Sequence, residues 1–122
     1  MESKAFKFHI PINSHQLQGL MEKPQDLLKL LPKDELENFR WFIFDELSDK
    51  DGSPTVNNLL ITKFSYDQTK NKGGFRMSFD IDRKFCCSDT ESCKSDYLDF
   101  TFQINDNELE ASGSYFDWTM GN

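Results

Sequence analysis

The sequence predicts an α+β fold, a two-layer sandwich in which helices pack on one face of a mainly antiparallel five-stranded sheet. Five segments alternate apolar and polar residues, as strands with one buried face do. Segments with helical spacing lie between the first and the second of these. Short connections join the last four, which favours antiparallel pairing. The predicted order is β-α-α-α-β-β-β-β, in a single domain over residues 1–122.

Residues 4–12 form the first predicted strand, because large apolar side chains occupy its even positions. Pro11 has no amide hydrogen, so this strand ends there or lies at a sheet edge. Asn13 or Ser14 is suited to cap a following helix. Pro24 ends that helix or begins the next one, a second short helix that runs through four leucines.

Residues 33–49 favour a third helix, because most of their apolar residues fall within one helical stripe and their carboxylates lie mostly opposite. Trp41 and Phe42 flank the polar side and fit this helix poorly. A strand over residues 39–44 is the alternative, since that run is apolar on almost every position.

Four alternating segments complete the chain after a loop over residues 49–54. We expect a hairpin turn within residues 69–74, a polar loop over 86–96 and a tight turn at 105–107. The last strand is expected to run from Glu108 to about Trp118. The residues predicted to face inward are Leu60, Thr62, Phe64 and Tyr66 in the second strand, Phe75, Met77, Phe79 and Ile81 in the third, Leu98, Phe100, Phe102 and Ile104 in the fourth, and Leu109, Ala111, Gly113 and Tyr115 in the fifth.

The net charge of −7 is concentrated at the C-terminal end of the sequence. Residues 86–122 hold eight acidic residues and one lysine, whereas residues 1–85 balance to zero. This charge argues against direct binding to nucleic acid or to an anionic membrane and indicates a basic protein as partner. Met1–Lys4 do not resemble a secretion signal and no apolar run is long enough to span a bilayer, so we expect a cytoplasmic protein.

The C-terminal part of the sequence combines carboxylates with aromatic residues, as protein interfaces do. Carboxylates steer a basic partner, and buried aromatics supply most of the affinity. The predicted carboxylates of the partner-binding surface are Asp89, Glu91, Asp96, Asp99, Glu108 and Glu110, and its apolar anchors are Tyr97, Phe116 and Trp118. A solvated sheet face with no partner is the alternative interpretation.

The cysteines and histidines do not form a recognisable site. Cys86, Cys87 and Cys93 lack the CxxC spacing of a zinc ribbon. Zinc with His9 or an aspartate as fourth ligand, or a disulfide from Cys86 or Cys87 to Cys93, is geometrically open. His9 and His15 lie on a strand and a helix, without a serine or cysteine in a nucleophile motif. We expect structural cysteines, no metal, no cofactor and no catalytic activity.

In size and charge, but without a shared motif, the chain resembles bacterial immunity proteins, which inhibit toxin nucleases. The resemblance implies a non-catalytic, cytoplasmic protein that occludes a basic partner as a monomer or weak homodimer.

Two alternatives remain. One is a small-ligand-binding or enzymatic domain with an aromatic-lined pocket between the sheet and Trp41/Phe42, in which His9 or Tyr66 supplies a polar group. The other is a structural protein that self-associates through exposed aromatics.

Overall fold

The strands of the protein are β1 (Ala5–Pro11), β2 (Thr55–Asp67), β3 (Lys72–Phe85), β4 (Thr90–Asn105) and β5 (Glu108–Ser114). The helices are α1 (Ser14–Glu22), α2 (Leu27–Leu30) and α3 (Lys33–Glu46), with a 3-10 turn at Pro24–Asp26 before α2. The structure, a computed structural model, describes residues 5–85 and 90–115. The predicted α+β fold with a five-stranded antiparallel sheet is confirmed.

The first and the last strand of the chain are neighbours in the sheet. The spatial order is β1-β5-β4-β3-β2, and every pairing is antiparallel. Pro11 is the last residue of β1 and lies opposite Glu108, which agrees with its prediction at a strand end or edge. β1 and β2 are therefore the two edge strands.

The helices begin where the sequence predicts. Asn13 caps α1 in a capping box, in which its side chain accepts from the Gln16 amide and the Gln16 side chain accepts from the Asn13 amide. Residues 33–46 form a helix, so the strand alternative for residues 39–44 is excluded. Its buried stripe includes Phe39 and Ile43, as predicted.

The phenylalanines of one sheet face form the core together with residues of all three helices. Phe39 of α3 contacts Phe79 of β3 and Phe100 of β4, with ring centroids 5.7 and 6.4 Å apart. Phe6 of β1 lies 5.4 Å from Phe39 and 5.6 Å from Phe42. These aromatic contacts fix the phenylalanine face as the inner face, and the opposite face is called the outer face below.

The inward prediction for Leu60 and Thr62 is wrong. Two register shifts in β2 each insert an extra residue, and each contains a non-glycine residue with positive φ, Asn58 at 57° and Lys63 at 54°. The first bulge reverses the alternation, so that Ile61 is buried and Leu60 is 47% exposed. Strict alternation in the sequence cannot anticipate an extra residue in one strand.

The polar loop predicted for residues 86–96 is wrong for residues 90–96, which belong to β4, while residues 86–89 lie outside the described residues. β3 continues to Phe85 and β4 begins at Thr90, so most of this segment is strand. Polar residues pair across these strands, with Asp80 opposite Ser95 and Asp82 opposite Cys93. The β5 strand ends at Ser114, and the predicted continuation to residue 118 lies outside the described residues.

The turns use asparagine and aspartate where left-handed backbone is required. Asp106 and Asn107 have φ of 52° and 62° in the β4–β5 turn, which the sequence predicts. In the β2–β3 turn, Asn71 takes a φ of 56°, whereas Gly73 and Gly74 belong to β3. The turn therefore lies over residues 68–71, and residues 72–74 of the predicted range belong to β3.

Gly73 is required by close packing, which gives a test of the core. A Cβ at Gly73 would clash with the Ser65 carbonyl oxygen and lie 2.6 Å from a ring carbon of Phe102. We expect Gly73→Ala to lower the free energy of unfolding by about 1–3 kcal/mol, because overpacking displaces the ring. Gly19→Ala is the matched control, since nothing lies within 4 Å of the added methyl group. Because Gly19 lies within helix α1, Gly19→Ala should raise the free energy of unfolding by about 0.5–1 kcal/mol. Urea unfolding of both variants measures the difference, and equal effects would contradict this account.

Candidate functional site

An exposed apolar pair lies on the outer face of β2, β3 and β4. Tyr97 lies opposite Ser78, and Ser78 lies opposite Leu60, so the three residues form one row across the sheet. Leu60 is 47% exposed and Tyr97 is 41% exposed. Ser78 is short, so nothing tall separates the two larger side chains. We call Leu60, Tyr97, Asp80 and Asp82 the outer patch.

Arg76 holds the tyrosine of the outer patch in place. Its guanidinium carbon lies 3.8 Å from the centroid of the Tyr97 ring, a cation–π distance. The same guanidinium donates to both carboxylate oxygens of Asp99, at 2.8 and 3.2 Å. This pair lowers the pKa of Asp99 through the hydrogen bond from Arg76. A tyrosine held in this way loses less conformational entropy when a partner covers it.

The carboxylates of the outer patch are oriented by neutral donors. Asp80 accepts from the Asn58 side-chain amide at 2.9 Å and from the Ser95 hydroxyl at 2.8 Å. Asp82 accepts from the Asn57 side-chain amide at 2.8 Å, and this bond and one from Cys93 lower its pKa. Within residues 5–85 and 90–115, neither carboxylate forms an ion pair. Both carboxylates can therefore pair with a cation of a partner.

Asp96 does not belong to the outer face, although the sequence analysis places it on the partner surface. It is 9% exposed and accepts from the Tyr115 hydroxyl at 2.6 Å and from the Tyr97 amide at 2.8 Å. The alternation of β4 explains this, since even-numbered residues from Asp96 to Ile104 face inward. Extending the alternating pattern of this strand from Leu98 back to Asp96 would have predicted that Asp96 faces inward.

The other predicted carboxylates are divided between distant places. Glu108 and Glu110 lie on the outer face of β5, opposite Pro11 and His9 of β1. Glu110 is registered with Gln103, about 20 Å along β4 from Tyr97 at about 3.3 Å per residue. Asp99 lies next to the outer patch, but it is paired with Arg76. Asp89, Phe116 and Trp118 lie outside the described residues, and only the backbone of Glu91 is described. The predicted carboxylates of the described part therefore do not form one zone.

Neighbouring strands offset part of the C-terminal charge. Residues 52–85 hold six basic and three acidic residues, and residues 90–115 hold one basic and six acidic residues. Because β3 and β4 pair, cations of the first range lie next to carboxylates of the second, as Arg76 and Asp99 do. Residues 33–51 hold seven acidic and three basic residues. The zero sum over residues 1–85 hides this second acidic segment, which a sliding window of charge would have found.

A groove on the outer face is lined in part by Glu110. It has a volume of about 770 Å³, and its lining includes His9, Lys7 and Lys72. His9 thus lies on the outer face, whereas Tyr66 packs against the core on the inner face. The two residues expected to supply polar groups to an internal pocket lie on opposite faces of the sheet. Phe42, which was expected to border that pocket, packs instead against Phe6 of the sheet.

The described residues were searched for groups that could hold a metal ion and for helices that could cross a membrane. No group of three or more His, Cys, Asp and Glu residues in residues 5–85 and 90–115 could hold a metal ion. None of the described helices is long and apolar enough to cross a bilayer. Cys93 is exposed and unbridged, while Cys86 and Cys87 lie outside the described residues.

Comparisons of this chain with protein-family models, with curated proteins and with solved structures found no match. The site's own geometry is therefore the basis for a functional proposal.

The contact between Asp96 and Tyr115 predicts a role in stability. Tyr115→Phe removes a hydrogen bond to a buried carboxylate, so we expect the free energy of unfolding to fall by about 1.5–3 kcal/mol. Tyr97→Phe is the matched control, because the Tyr97 ring is exposed and keeps its contact with Arg76. Its effect should stay within about 0.5 kcal/mol. Thermal unfolding of both variants is the measurement, and equal losses would exclude the assigned role of Tyr115.

The Cys93 thiol should react slowly at neutral pH. Its hydrogen bond to Asp82, with burial and nearby carboxylates, raises its pKa to about 11. The reactive thiolate therefore forms only as the pH rises toward about 11. Asp82→Asn removes the charged acceptor, so the pKa should fall and alkylation by iodoacetamide at pH 8 should accelerate several-fold. The measurement is made in a protein that also carries Cys86→Ser and Cys87→Ser, so that Cys93 is the one thiol that reacts.

Asp106→Asn, in the β4–β5 turn, is the control for Asp82→Asn. An equal acceleration in both variants would contradict a local effect of Asp82.

Proposed function

We propose that the protein is a non-catalytic acidic domain that binds a basic protein through the outer patch. The observation that carries the proposal is the exposed pair Leu60 and Tyr97 beside two carboxylates, Asp80 and Asp82, that form no ion pair within residues 5–85 and 90–115. An apolar centre with a charged rim is typical of protein interfaces. The chemistry of the rim favours lysine and arginine side chains.

Tyrosine and arginine are the residue types most enriched at interface hot spots, and here they are stacked on each other. The hydrogen bonds from Asn57, Asn58 and Ser95 hold the carboxylates before a partner arrives. Preorganised groups lose little entropy on binding, so more of their interaction energy appears as affinity.

The more distant carboxylates contribute in a different way. Glu108 and Glu110 lie far from Tyr97 along the sheet, so they act on the approach of the partner and not in the contact itself. Long-range attraction of this kind raises the association rate and weakens as salt screens the charges.

The finer form of the proposal is a bacterial immunity or inhibitor protein of the cytoplasm. In this form the basic partner is a toxin, for instance a nuclease whose lysines and arginines hold phosphates. The carboxylates of this protein pair with those lysines and arginines. The bound domain then covers the site and blocks access of the nucleic acid. The inhibition is steric and electrostatic and requires no chemical step.

The proposal is tested by affinity capture of the partner from the native host at low salt, followed by binding kinetics. Tyr97→Ala and Leu60→Ser should each weaken the complex by about 1–3 kcal/mol, mainly through faster dissociation. Asp80→Asn combined with Asp82→Asn should weaken binding at low salt.

Glu108→Gln combined with Glu110→Gln is the matched control, because it removes the same charge elsewhere on the outer face. We expect it to slow association at low salt and to leave dissociation unchanged. The proposal is wrong if Tyr97→Ala and Leu60→Ser bind the partner as the natural sequence does.

A further inference from the structure

Helix α3 carries a second stripe of side chains beside its buried one. Glu37, Trp41 and Phe44 follow one another at spacings of four and three residues, which places them on one side of the helix. Trp41 is 62% exposed, the highest value among the large apolar residues of the described part. Its ring meets Phe44 edge to face, with centroids 5.8 Å apart. A solvent-exposed indole fixed in this way offers a face to a ligand.

This stripe forms one wall of a groove against the edge strand β2. The groove has a volume of about 330 Å³. One wall comes from α3 and consists of Glu37, Arg40, Trp41 and Phe44. The other consists of Pro54, just before β2, and of Thr55, Val56 and Asn57 at the start of β2. A volume of this size accommodates one long side chain.

The edge of β2 beside the groove is closed to an added strand. Arg40 Nε donates to the Val56 carbonyl oxygen at 3.1 Å. Further along the edge, the Gln25 side chain donates to the Leu59 carbonyl at 3.1 Å and accepts from the Ile61 amide at 2.8 Å. These side chains occupy backbone groups that strand addition would need. The groove is therefore suited to side chains of a partner and not to its backbone.

The charge around the groove favours a cation. Residues 33–51 hold seven acidic and three basic residues, a net charge of −4, and backbone carbonyls hold two of the three cations in place without removing their charge. Arg40 is bonded to Val56, while Lys50 Nζ donates to the Leu47 carbonyl at 2.8 Å and lies 5.5 Å from the Phe44 ring centroid.

The remaining carboxylates are only partly offset. Arg83 reaches into the loop after α3 and offsets one charge, through the Asp51 carbonyl at 2.7 Å and the Asp49 carboxylate at 3.9 Å. Glu37 itself is 55% exposed, and its oxygen lies 3.7 Å from Arg40, so this pair is loose. A carboxylate beside an exposed indole is thus available to a second cation.

We infer that this groove binds an arginine side chain from a basic segment of another protein. The guanidinium plane stacks on Trp41, and its N–H groups donate to Glu37. Lysine fits less well, because an ammonium group is strongly hydrated and offers no flat surface to the indole. The groove lies beside α3, whereas the outer patch lies on the outer face, so this inference stands independently of the proposed function.

The test is an NMR titration of the full chain labelled with ¹⁵N. The probe is a peptide of alternating arginine and glycine, with lysine–glycine and glutamate–glycine peptides of equal length for comparison. The indole signal of Trp41, assigned by its loss in Trp41→Phe, should shift with the arginine peptide. We expect this peptide to bind about threefold to tenfold more tightly than the lysine peptide, and the glutamate peptide not to bind.

Substitutions then separate the groove from general electrostatic attraction. Trp41→Ala should weaken binding of the arginine peptide by about threefold to tenfold, as followed by calorimetry, and Glu37→Gln by about twofold to fivefold. Met21→Ala is the control for Trp41→Ala, since Met21 is 49% exposed on α1. Asp106→Asn is the control for the loss of one charge. Both controls should bind as the natural sequence does.

Three results would overturn the inference. One is an unchanged affinity in Trp41→Ala. Another is an equal loss of affinity for the arginine peptide in Glu37→Gln and Asp106→Asn, which would indicate general electrostatic attraction and no defined binding site. The third is an equal affinity for the arginine and lysine peptides. The Trp41 indole signal reports on the groove itself, so peptide bound elsewhere on the molecule does not enter this readout.

Discussion

Burial of the phenylalanine face determines which side chains remain available for binding. Phe39 of α3 packs between Phe79 and Phe100 of two neighbouring strands, and Phe6 of β1 packs against Phe39 from another direction. A slip of one residue in any strand would move its phenylalanines to the outer face, so the register is strongly specified. The positions of the outer face follow from this register, including the row that brings Tyr97 beside Leu60.

Departures from regular strand geometry create much of the exposed surface. The first bulge of β2 turns Leu60 outward, and Asn58, which takes the positive φ there, also holds Asp80 by a hydrogen bond. Bulges commonly redirect side chains at functional positions. The side chains of Gln25 and Arg40 form hydrogen bonds with backbone groups at the edge of β2. The protein thus covers parts of an edge that would otherwise invite aggregation, and leaves a groove beside the helix.

Charge is distributed by spatial neighbours and not by position along the chain. The acidic C-terminal segment lies beside the basic β3 strand, where Arg76 pairs with Asp99. The acidic segment of α3 and its following loop has a net charge of −4 over residues 33–51, even with Arg40 and Lys50 counted. Two surfaces therefore combine exposed aromatic rings with carboxylates, one on the outer face and one beside α3.

The sequence by itself determined the element types, the antiparallel sheet and most of the core. These follow from local periodicity, capping by Asn13 and turn residues such as Asp106 and Asn107, all of which act over a few residues. The outward position of Asp99 was also predicted in this way, because it alternates with the buried residues of β4.

Only the tertiary structure decided that β1 pairs with β5, that Asp96 faces Tyr115, that Leu60 is exposed and that Trp41 borders a groove. Each of these depends on contacts between residues far apart in the chain. Local pattern cannot contain such information, because an inserted bulge residue or a distant partner changes which face a side chain takes without changing its neighbours in sequence.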